Sequence, residues 1–466
     1  MTEPRGDAGP DLRLDELKEL AEQDNLRPFL RRVRHVHPSD LADVLSALDE
    51  ATRVRVVSEL PTDLASSALA EMEAGEHPEE MLLAVGPEYA AELVEGMPSD
   101  DAADLVAELS EGEREAVLAE VSDRADVERL LEYPEDSAGG LMTTNVVAVR
   151  EDASVGEAIE AIRRQSEEDE SQLYQVYAVD AAGYFRGIVP IARLIVTSPN
   201  RLVRDVMEQP AVQVQPQQDQ EEVARLMARY NVAAVPVVDA GGRLLGRITF
   251  DDVVDVVEAE TTEDLLKFGG MEALDAPYLT VAFSRMVRKR AGWLAALFLG
   301  EMLTATAMAF FQDEIAKAVI LALFVPLIIS SGGNSGSQAS TLVIRAMALG
   351  EVHLRDWWRV MRREIATGLV LGTVLGTIGF LRITLWHSIT GIYGEHYLLI
   401  ALTVFGSLIG VVTFGTITGS LLPFILRKLG FDPASASAPF VATLVDVTGL
   451  IIYFTVASLI LRGTLL

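Results

Sequence analysis

The sequence predicts a multidomain protein: a cytosolic all-α superhelical domain, a tandem pair of small α/β domains, a connecting helix and a five-helix transmembrane domain. Three observations predict this order. Residues 1–284 carry 24 basic and 60 acidic residues, whereas residues 285–466 carry 14 and 9. Five apolar segments lie only in the second part, and a pattern of short β runs and helices occurs twice before them. An acidic soluble part therefore precedes a membrane part.

The strong acidity limits the classes of partner. A net charge of −31 repels nucleic acid and anionic lipid and attracts cations, so cations are the first partner class to consider and no nucleic-acid partner is expected. Acidity that serves solubility alone is the alternative. The chain has no cysteine, which excludes disulfides and thiolate metal sites. Its first 30 residues are polar and acidic, so we expect no cleavable signal peptide.

Residues 1–135 are predicted to form an acidic helical N-terminal domain. Apolar residues recur at helical spacing, and a Pro-polar-Asp triplet precedes three of the helical runs. An aspartate in the first turn of a helix faces the positive end of the helix dipole, and this structural role is expected of Asp40 and Asp63. Asp100 differs because Asp104 lies one turn later on the same face. Like charges at that spacing cost stability unless a cation bridges them.

Residues 137–200 and 201–258 repeat one order of elements: a short β run, an amphipathic helix, a second strand, a turn and a third strand. The second strands are predicted at 175–179 and 234–238, and each is followed by a turn that contains Asp and Gly. This order resembles a tandem pair of CBS domains. The resemblance implies that the two modules pair into one disc, and CBS modules commonly bind adenine nucleotides.

The nucleotide motif of CBS domains is a Thr or Ser followed three residues later by Asp. The second module matches it at Thr249 and Asp252, whereas residues 190–193 of the first module contain neither the hydroxyl nor the carboxylate. By this resemblance, Thr249 and Asp252 are the candidate contacts of one adenine nucleotide, with ATP as a modulator. Two such sites are not expected.

Seven carboxylates lie in the fourteen residues 251–264. Self-repulsion at this density strains a helix. A solvated, charged helix is the structural alternative; we favour binding of a hard cation, because Mg²⁺ and Ca²⁺ take oxygen ligands and Mg²⁺ often binds through its own waters with one or two carboxylates. The seven residues are Asp251, Asp252, Asp255, Glu258, Glu260, Glu263 and Asp264.

A connecting (plug) helix is predicted at 259–290 and a five-span transmembrane pore domain at 291–466. Each apolar segment is long enough to cross the roughly 30 Å hydrocarbon core. Basic residues cluster before the first span and after the second and fourth. They predict cytoplasmic N-terminal domains and an extracytoplasmic C-terminus in a multi-pass protein of the cell membrane. The predicted spans are 291–311, 315–349, 365–385, 398–426 and 439–461.

Polar residues interrupt two of these spans. The stretch 326–338 in the second span contains a proline, three glycines and six polar side chains. At membrane depth, such residues and non-helical backbone are expected only where protein buries them or a water path wets them. Asp446 in the last span is a candidate site, since a charge at the bilayer centre costs about 2.5–3.5 kcal/mol or more. Pairing with an arginine of the spans, Arg345 or Arg382, is the alternative. Glu301 in the first span is the next candidate, without an assigned role.

In their order, these parts resemble the MgtE family of magnesium channels over essentially the whole chain. The residues that carry the resemblance are the stretch 326–338 in the second span and Asp446 in the fifth, behind the acidic helical domain and the CBS pair. The resemblance implies a homodimer in the lipid bilayer whose pore lies between the protomers. It implies that Asp446 binds hydrated Mg²⁺, that the carbonyl of Ala442 assists, and that Asn334 lines the path. Carboxylates and carbonyls suit an ion that dehydrates reluctantly.

The resemblance also implies a channel that closes when cytosolic Mg²⁺ is high, because bound ions join the helical domain, the CBS pair and the connecting helix. Bare carboxylate clusters repel each other and bridged clusters dock, which makes a two-state element biased by a ligand. The positions that match sensor ligands are Asp100, Asp104, Asp219, Glu221, Asp252, Asp255, Glu260, Glu263 and Asp264.

The leading hypothesis is therefore a Mg²⁺-selective channel for magnesium influx, gated closed by Mg²⁺. A broader carrier of divalent cations such as Co²⁺, Mn²⁺ or Ca²⁺ is the alternative, although no His or Met near Asp446 suits a softer metal. A nucleotide-sensing membrane enzyme is the other alternative. It would need a nucleophile and a base in the spans, and the sequence offers neither these nor a Walker motif, so we predict that the chain is not an enzyme.

Overall fold

The protein is described from a computed structural model. The structure describes residues 10–72, 74–122, 124–168, 173–274, 278 and 281–465. Contacts divide the chain into two units. The first contains Met1–Glu260 and Asp275–Thr280, and the second contains Thr261–Leu274 and Val281–Leu466.

The first unit begins with ten short helices in the described part of residues 10–130. Five of them have proline at the first or second helical position, where its missing N–H costs no hydrogen bond. The domain is therefore all-helical, as predicted. The helices are α1 Pro10–Ala21, α2 Arg27–Val33, α3 Pro38–Ser46, α4 Glu50–Glu59, α5 Thr62–Ala70, α6 Pro78–Ala84, α7 Pro87–Glu95, α8 Ser99–Ala107, α9 Glu111–Glu120 and α10 Arg124–Leu130.

Two α/β modules follow in the same unit. In the first, strand order is β1-β2-β3, with β1 parallel to β2 and β2 antiparallel to β3. In the second, β4 pairs antiparallel with β5, and the predicted first strand is reduced to a single parallel bridge between Val214 and Val237. The tandem α/β pair is thus confirmed. The elements are β1 Ala148–Arg150, α11 Val155–Glu168, β2 Gln175–Val179, β3 Phe185–Pro190, α12 Ile191–Val196, α13 Gln220–Tyr230, β4 Ala234–Val238 and β5 Leu244–Thr249.

One hydrophobic core joins the helical domain to the second α/β module, whereas the first module has a core of its own. Polar contacts reinforce this junction at the start of α8. Ser99 Oγ accepts a hydrogen bond from the Thr144 backbone N–H at 2.9 Å and lies 3.2 Å from Thr143 Oγ1. Thr143 and Thr144 precede β1, and Thr143 exchanges two backbone hydrogen bonds of 2.9 Å with Arg247 of β5. The first turn of α8, which contains Asp100, is therefore joined to the second module through this segment.

Helix α14, Phe250–Phe268, begins directly after β5 and runs without interruption through the acidic stretch. It crosses residue 258, where the sequence placed the limit between the second module and the connecting helix, and it continues from the first unit into the second. The limit at 258 thus has no counterpart in the secondary structure and stays a prediction. Helix α14 ends at Phe268, and Gly270, two residues later, has φ +75°, a conformation that favours glycine.

The second unit contains five helices that are long and apolar enough to cross a membrane, as predicted. Four of the five helical stretches are longer than the predicted spans, because they extend beyond the apolar core at one or both ends, whereas the second, Val319–Ala348, is shorter than the predicted 315–349. The helices of this unit are α15 Phe283–Phe310, α16 Gln312–Lys317, α17 Val325–Ala348, α18 Trp357–Thr390, α19 Tyr397–Lys428 and α20 Ala438–Leu461, and a 3₁₀ helix at Val319–Phe324 precedes α17.

The proline and the glycines at 326–338 do not interrupt the helix. Helix α17 is continuous through this stretch, because Pro326 lies in its first turn, where a proline breaks no helix. The glycines instead permit close packing. A Cβ atom at Gly419 would lie 2.0 Å from the Gly336 carbonyl oxygen, and one at Gly415 would lie 2.4 Å from that of Gly332. Two glycine pairs, each spaced four residues apart, therefore bring α17 and α19 of one chain into backbone contact.

We expect Gly419→Ala to destabilise the membrane unit. The obstructing atom is a backbone oxygen that cannot rotate away, so overpacking should cost about 1–3 kcal/mol or more and lower the Tm in detergent by roughly 4–10 °C. Gly292→Ala is the matched control, since a Cβ there would meet nothing within 4 Å. Equal melting temperatures for the two variants would contradict the close contact.

Candidate functional site

The first candidate site is a group of carboxylates where α8 meets the start of α14. We call it the α8 cluster and define it by Asp100, Asp101, Asp104 and Asp252. Asp100 is 8% exposed, and its Oδ1 atom is buried without a hydrogen-bond partner. A buried, unpaired carboxylate oxygen is costly unless a cation or water satisfies it. The cluster therefore fits a cation, and the roles of Asp100, Asp104 and Asp252 as ligands stay predictions.

The electrostatics of the α8 cluster agree with this fit. Burial and the charge of Asp101 raise the pKa of Asp100 well above its usual range. Burial and the charges of Asp252 and Asp104 raise the pKa of Asp101 to about 7. Removal from water by the surrounding protein, followed by the charges of Glu135 and Glu108, raises the pKa of Asp104 to about 7, although part of its surface stays exposed. The charge of Arg247 lowers the pKa of Asp252 in part. Asp100, Asp101 and Asp104 still raise each other's pKa or that of their neighbours, so the cluster repels itself when bare.

One oxygen of Asp252 has a structural role. Its Oδ2 atom accepts hydrogen bonds from the backbone N–H and the hydroxyl of Thr249, both at 2.8 Å. This is a capping arrangement at the start of α14. The residues predicted to contact a nucleotide therefore bond to each other, and nothing in the arrangement tests their role toward a ligand. In the first module, Arg193 occupies the position of the motif's carboxylate. It pairs with Glu208 at 2.7 Å, and this ion pair explains the arginine at that position.

The other predicted sensor positions of the first unit fall into two places. Asp255 is near the α8 cluster, since its charge is among the causes of the raised pKa of Asp101. Glu260 lies elsewhere on α14, where its Oε1 atom accepts a hydrogen bond from Gln220 Nε2 at 2.8 Å. Gln220 stands between the other two predicted residues: Asp219 caps α13 by accepting from the Glu221 N–H at 2.9 Å, and Glu221 pairs with Arg225 at 3.6 Å. Glu260 is thus brought to the start of α13, beside Asp219 and Glu221.

Glu263 and Asp264 belong to the part of α14 that lies in the second unit. Glu263 pairs there with Lys267, which also pairs with Asp432 at 2.7 Å. Asp432 lies in the connection between α19 and α20, where its Oδ1 atom accepts from the Ala434 N–H. The end of α14 is thereby joined to the segment that leads into the last span.

Two residues near the α8 cluster were not among the predicted ligands. Asp101 lies between predicted ligands and could have been included on position alone. Glu71 contributes to the raised pKa of both Asp101 and Asp255. It belongs to a different helical repeat, and no pattern in the sequence indicates that it would lie here.

The α8 cluster is wider than a site for a dehydrated ion. Within the described residues, only His77, Glu79 and Glu80 place three ligand atoms within 4.8 Å of one another. In that group, the His77 imidazole is hydrogen-bonded to Glu79 at 2.9 Å. Wider spacing at the α8 cluster suits an ion that retains waters between itself and the carboxylates, as Mg²⁺ does.

We expect Mg²⁺ binding to the full-length protein to release protons near neutral pH. Because the pKa of Asp101 is raised to about 7, the docked arrangement without metal is stabilised at low pH and loses stability as pH rises through that value. Mg²⁺ requires ionised carboxylates, so binding at about pH 6.5 displaces protons and binding at about pH 9 displaces few. Titration calorimetry in buffers of different ionisation enthalpy measures this release. Equal release at both pH values would contradict the arrangement.

The second candidate site is Asp446 in α20. It is half-buried and forms no ion pair within the described residues. The alternative of pairing with an arginine of the spans is not supported, since Arg382 lies over the Trp386 ring at 5.0 Å and 3.3 Å from the Tyr393 hydroxyl. Glu301 of α15 is within electrostatic range of Asp446. Two carboxylates thus lie within electrostatic range of each other at membrane depth, and neither forms an ion pair within the part of the chain that the structure describes.

The polar face of α17 provides the other part of this site. The Asn334 side chain is exposed in the single chain, and its amide lies 3.5 Å from Ser330 Oγ. Helix α20 packs along the adjacent face, where Ala442 lies 3.5 Å from the position of a Cβ at Gly333. Ser337 and Ser340 donate hydrogen bonds to the carbonyls of Ala438 and Ala436 at 3.3 and 2.9 Å. The second and fifth spans are therefore joined by polar contacts, and Ala442 lies one turn before Asp446.

Three protein-family profiles match the chain. That of the MgtE divalent cation transporter matches residues 325–456. That of the MgtE intracellular N domain matches residues 36–136. That of the CBS domain matches residues 138–197 and 203–259.

Relatives and solved structures agree with these profiles. The magnesium transporter MgtE of Thermus thermophilus is 38% identical over 451 residues, which cover 96% of this chain and 98% of the relative. That of Bacillus subtilis is 31% identical and covers 94% and 95%. A crystal structure of the soluble part of a magnesium transporter is 27% identical, with a TM-score of 0.50, and covers 54% of this chain and 99% of that one. The cytosolic domain of the Mg²⁺ channel MgtE in complex with ATP is 35% identical, with a TM-score of 0.49, and covers 52% and 99%.

These matches confirm the resemblance drawn from the order of domains and from the polar residues of the second and fifth spans. Transporter relatives also agree with the prediction that the chain is not an enzyme. The chain belongs to the MgtE family of divalent cation transporters.

Proposed function

We propose that this protein is a Mg²⁺-selective channel that mediates magnesium influx and closes when Mg²⁺ binds to its acidic domains. The observation that carries the proposal is Asp446, a half-buried carboxylate at membrane depth without an ion pair among the described residues. Such a group is expensive to retain unless a cation uses it. The relatives of this protein from Thermus and Bacillus are named magnesium transporters, which supports Mg²⁺ as the transported ion.

The chemistry around Asp446 suits a hydrated ion. Mg²⁺ holds its waters tightly, so selection through the water shell by carboxylates and carbonyls is favoured over direct coordination. Asp446 would supply charge, the Ala442 carbonyl would accept from a bound water, and Asn334 would line the path. Asn334 is exposed in the single chain at a depth where lipid offers it no hydrogen bond. A homodimer with its pore between the protomers would cover this face.

The gate we propose depends on the α8 cluster. The first unit has α8 docked against the second module, and the carboxylates brought together there carry raised pKa values. Bare carboxylates oppose this docking, and Mg²⁺ would favour it by bridging them. Because α14 continues from the cluster to Lys267 and its partner Asp432, docking can be transmitted to the connection before the last span.

The orientation follows from the basic residues. Arg285 to Arg290 precede the first span, four arginines follow the second, and Arg427 and Lys428 follow the fourth. This distribution supports cytoplasmic N-terminal domains and an extracytoplasmic C-terminus in the cell membrane.

We also propose ATP as a modulator at the second module. Its support is the Thr249 and Asp252 motif at the start of α14.

Purified protein in liposomes with an internal Mg²⁺-sensitive dye tests the function. We expect Mg²⁺ entry without dependence on a Na⁺ or H⁺ gradient, and closure when Mg²⁺ on the side of the acidic domains rises. The family profile describes divalent cations in general, which favours a broader carrier of Co²⁺, Mn²⁺ or Ca²⁺ as the second candidate. Entry of these ions at the rate of Mg²⁺, or coupling to a Na⁺ or H⁺ gradient, would support that candidate and contradict the channel.

A further inference from the structure

A buried tyrosine of the last span bonds to the backbone that precedes the second span. Tyr453 lies on α20 with 0% of its surface exposed. Its hydroxyl donates a hydrogen bond of 2.9 Å to the carbonyl of Leu321, which is also fully buried. Leu321 belongs to the 3₁₀ helix at Val319–Phe324. This bond therefore joins the helix that contains Asp446 to the irregular turn from which the polar helix α17 begins.

The position of Pro326 explains why the Leu321 carbonyl is available. In an α-helix, the carbonyl of Ala322 would accept from residue 326, but proline has no N–H. The Val325 N–H donates to Ala322 instead. That N–H is the one that would otherwise serve Leu321 in an α-helix. Pro326 thus leaves Leu321 without its α-helical donor. In a 3₁₀ helix the carbonyl accepts from the N–H three residues on, and its second lone pair accepts from the Tyr453 hydroxyl.

The hydrogen bond between Tyr453 and Leu321 can fix the axial position of α17 relative to α20. Tyr453 lies seven residues, or about two helical turns, after Asp446 on α20. Leu321 immediately precedes α17, which is continuous from Val325 through Asn334. The next aromatic residue is held as well, since Phe454 stacks on Phe311 with ring centroids 5.1 Å apart. A shift of α17 along its axis would break the hydroxyl contact.

We propose that Tyr453 is a positioning residue for ion passage: through Leu321 it fixes α17, with Asn334, in register with Asp446. The inference rests on the proposed function, in which Asp446 and Asn334 line the pore. It assigns the tyrosine hydroxyl, rather than the bulk of its ring, as the group that matters. The hydrogen bond from Tyr453 to the Leu321 carbonyl then contributes to ion passage as well as to folding.

The test is Mg²⁺ flux into liposomes for Tyr453→Phe, which retains the ring and removes the hydroxyl. We expect flux to fall roughly fivefold, because the buried hydrogen bond that joins α20 to the segment before α17 is lost. We also expect the Mg²⁺ concentration for half-maximal flux to rise and the preference for Mg²⁺ over Mn²⁺ to weaken, which a loss of stability alone would not cause. Thr455→Val is the matched control. The Thr455 hydroxyl is exposed and bonds only within α20, to the Ile451 carbonyl at 2.6 Å, so its flux should match the unaltered protein.

A second substitution examines the route through Leu321. Pro326→Ala restores the N–H at residue 326, which allows Ala322 and then Leu321 to regain their α-helical donors. The double variant, Tyr453→Phe with Pro326→Ala, should have a flux and a half-saturating Mg²⁺ concentration close to those of Pro326→Ala alone. The effects of the two substitutions are then non-additive. Unchanged flux and half-saturation in Tyr453→Phe, or additive losses in the double variant, would overturn the proposal.

The Asp446→Asn variant distinguishes a failure of this inference from a failure of the proposed function. If Asp446→Asn abolishes flux while Tyr453→Phe has no effect, the positioning role fails and the pore stands. If Asp446→Asn retains full flux, the proposed function fails, whatever the tyrosine variant does.

Discussion

Asp446→Asn should reduce Mg²⁺ flux into liposomes at least about 100-fold. The substitution keeps the size and shape of the side chain and removes its charge. A carboxylate that attracts a divalent ion at low effective dielectric contributes several kcal/mol, and 1.4 kcal/mol corresponds to a factor of ten. Asp446 has no ion pair among the described residues, so the loss of its charge is not offset by the release of an internal partner. Dye-loaded liposomes measure the rate directly.

The control for this prediction is Asp313→Asn, which removes a carboxylate of the same unit outside the spanning helices. Asp313 is exposed in the short helix α16. We expect at most a small change in its flux, since exposed charges at this distance are screened by salt. Both variants should have the melting temperature of the unaltered protein within a few degrees. Equal flux for Asp446→Asn and Asp313→Asn would remove Asp446 from the pore.

Glu301 provides a further comparison on the same assay. It lies within electrostatic range of Asp446, but it belongs to the first span and is exposed in the single chain. Two carboxylates at this depth repel each other unless an ion lies between them. A role for Glu301 would therefore appear as a loss of flux in Glu301→Gln that does not add to the loss in Asp446→Asn.

The sequence predicted what depends on local pattern. Asp446 and the five spans follow from charge and hydropathy, since an isolated carboxylate in an apolar segment is visible without any knowledge of contacts. The strands 175–179 and 234–238 follow from their apolar β-branched residues and the Asp-Gly turns after them. These features need no information about which segments meet in space.

What the sequence did not predict depends on contacts between distant segments. Composition alone does not show that 326–338 stays helical, which it does because Pro326 lies in the first turn of α17 and the irregular backbone falls just before it. The glycines of this stretch contact α19, eighty residues away, through Gly415 and Gly419. Glu71 reaches the α8 cluster only because the helical repeats stack. The periodicity of one segment does not indicate which distant residues that segment contacts.

Asp100→Asn should largely remove the response of the acidic domains to Mg²⁺. Asp100 is the most buried carboxylate of the α8 cluster, with an Oδ1 atom that lacks a partner. Replacement by asparagine removes both a source of repulsion and a ligand charge. Docking without Mg²⁺ should therefore become easier, while the gain from Mg²⁺ should shrink. We expect the Mg²⁺ concentration that half-protects residues 250–268 from protease to rise at least about tenfold, or the protection to lose its Mg²⁺ dependence.

Asp63→Asn is the matched control, because Asp63 has the same position in its Pro-polar-Asp triplet as Asp100. It lies in the first turn of α5, is exposed and belongs to no cluster. Its replacement should cost at most about 1 kcal/mol of helix stabilisation and leave the Mg²⁺ response unchanged. In liposomes, the same Asp100→Asn protein should conduct at Mg²⁺ concentrations that close the Asp63→Asn channel. If the two variants close at equal Mg²⁺, the α8 cluster is not the sensor, and the raised pKa values there reflect packing alone.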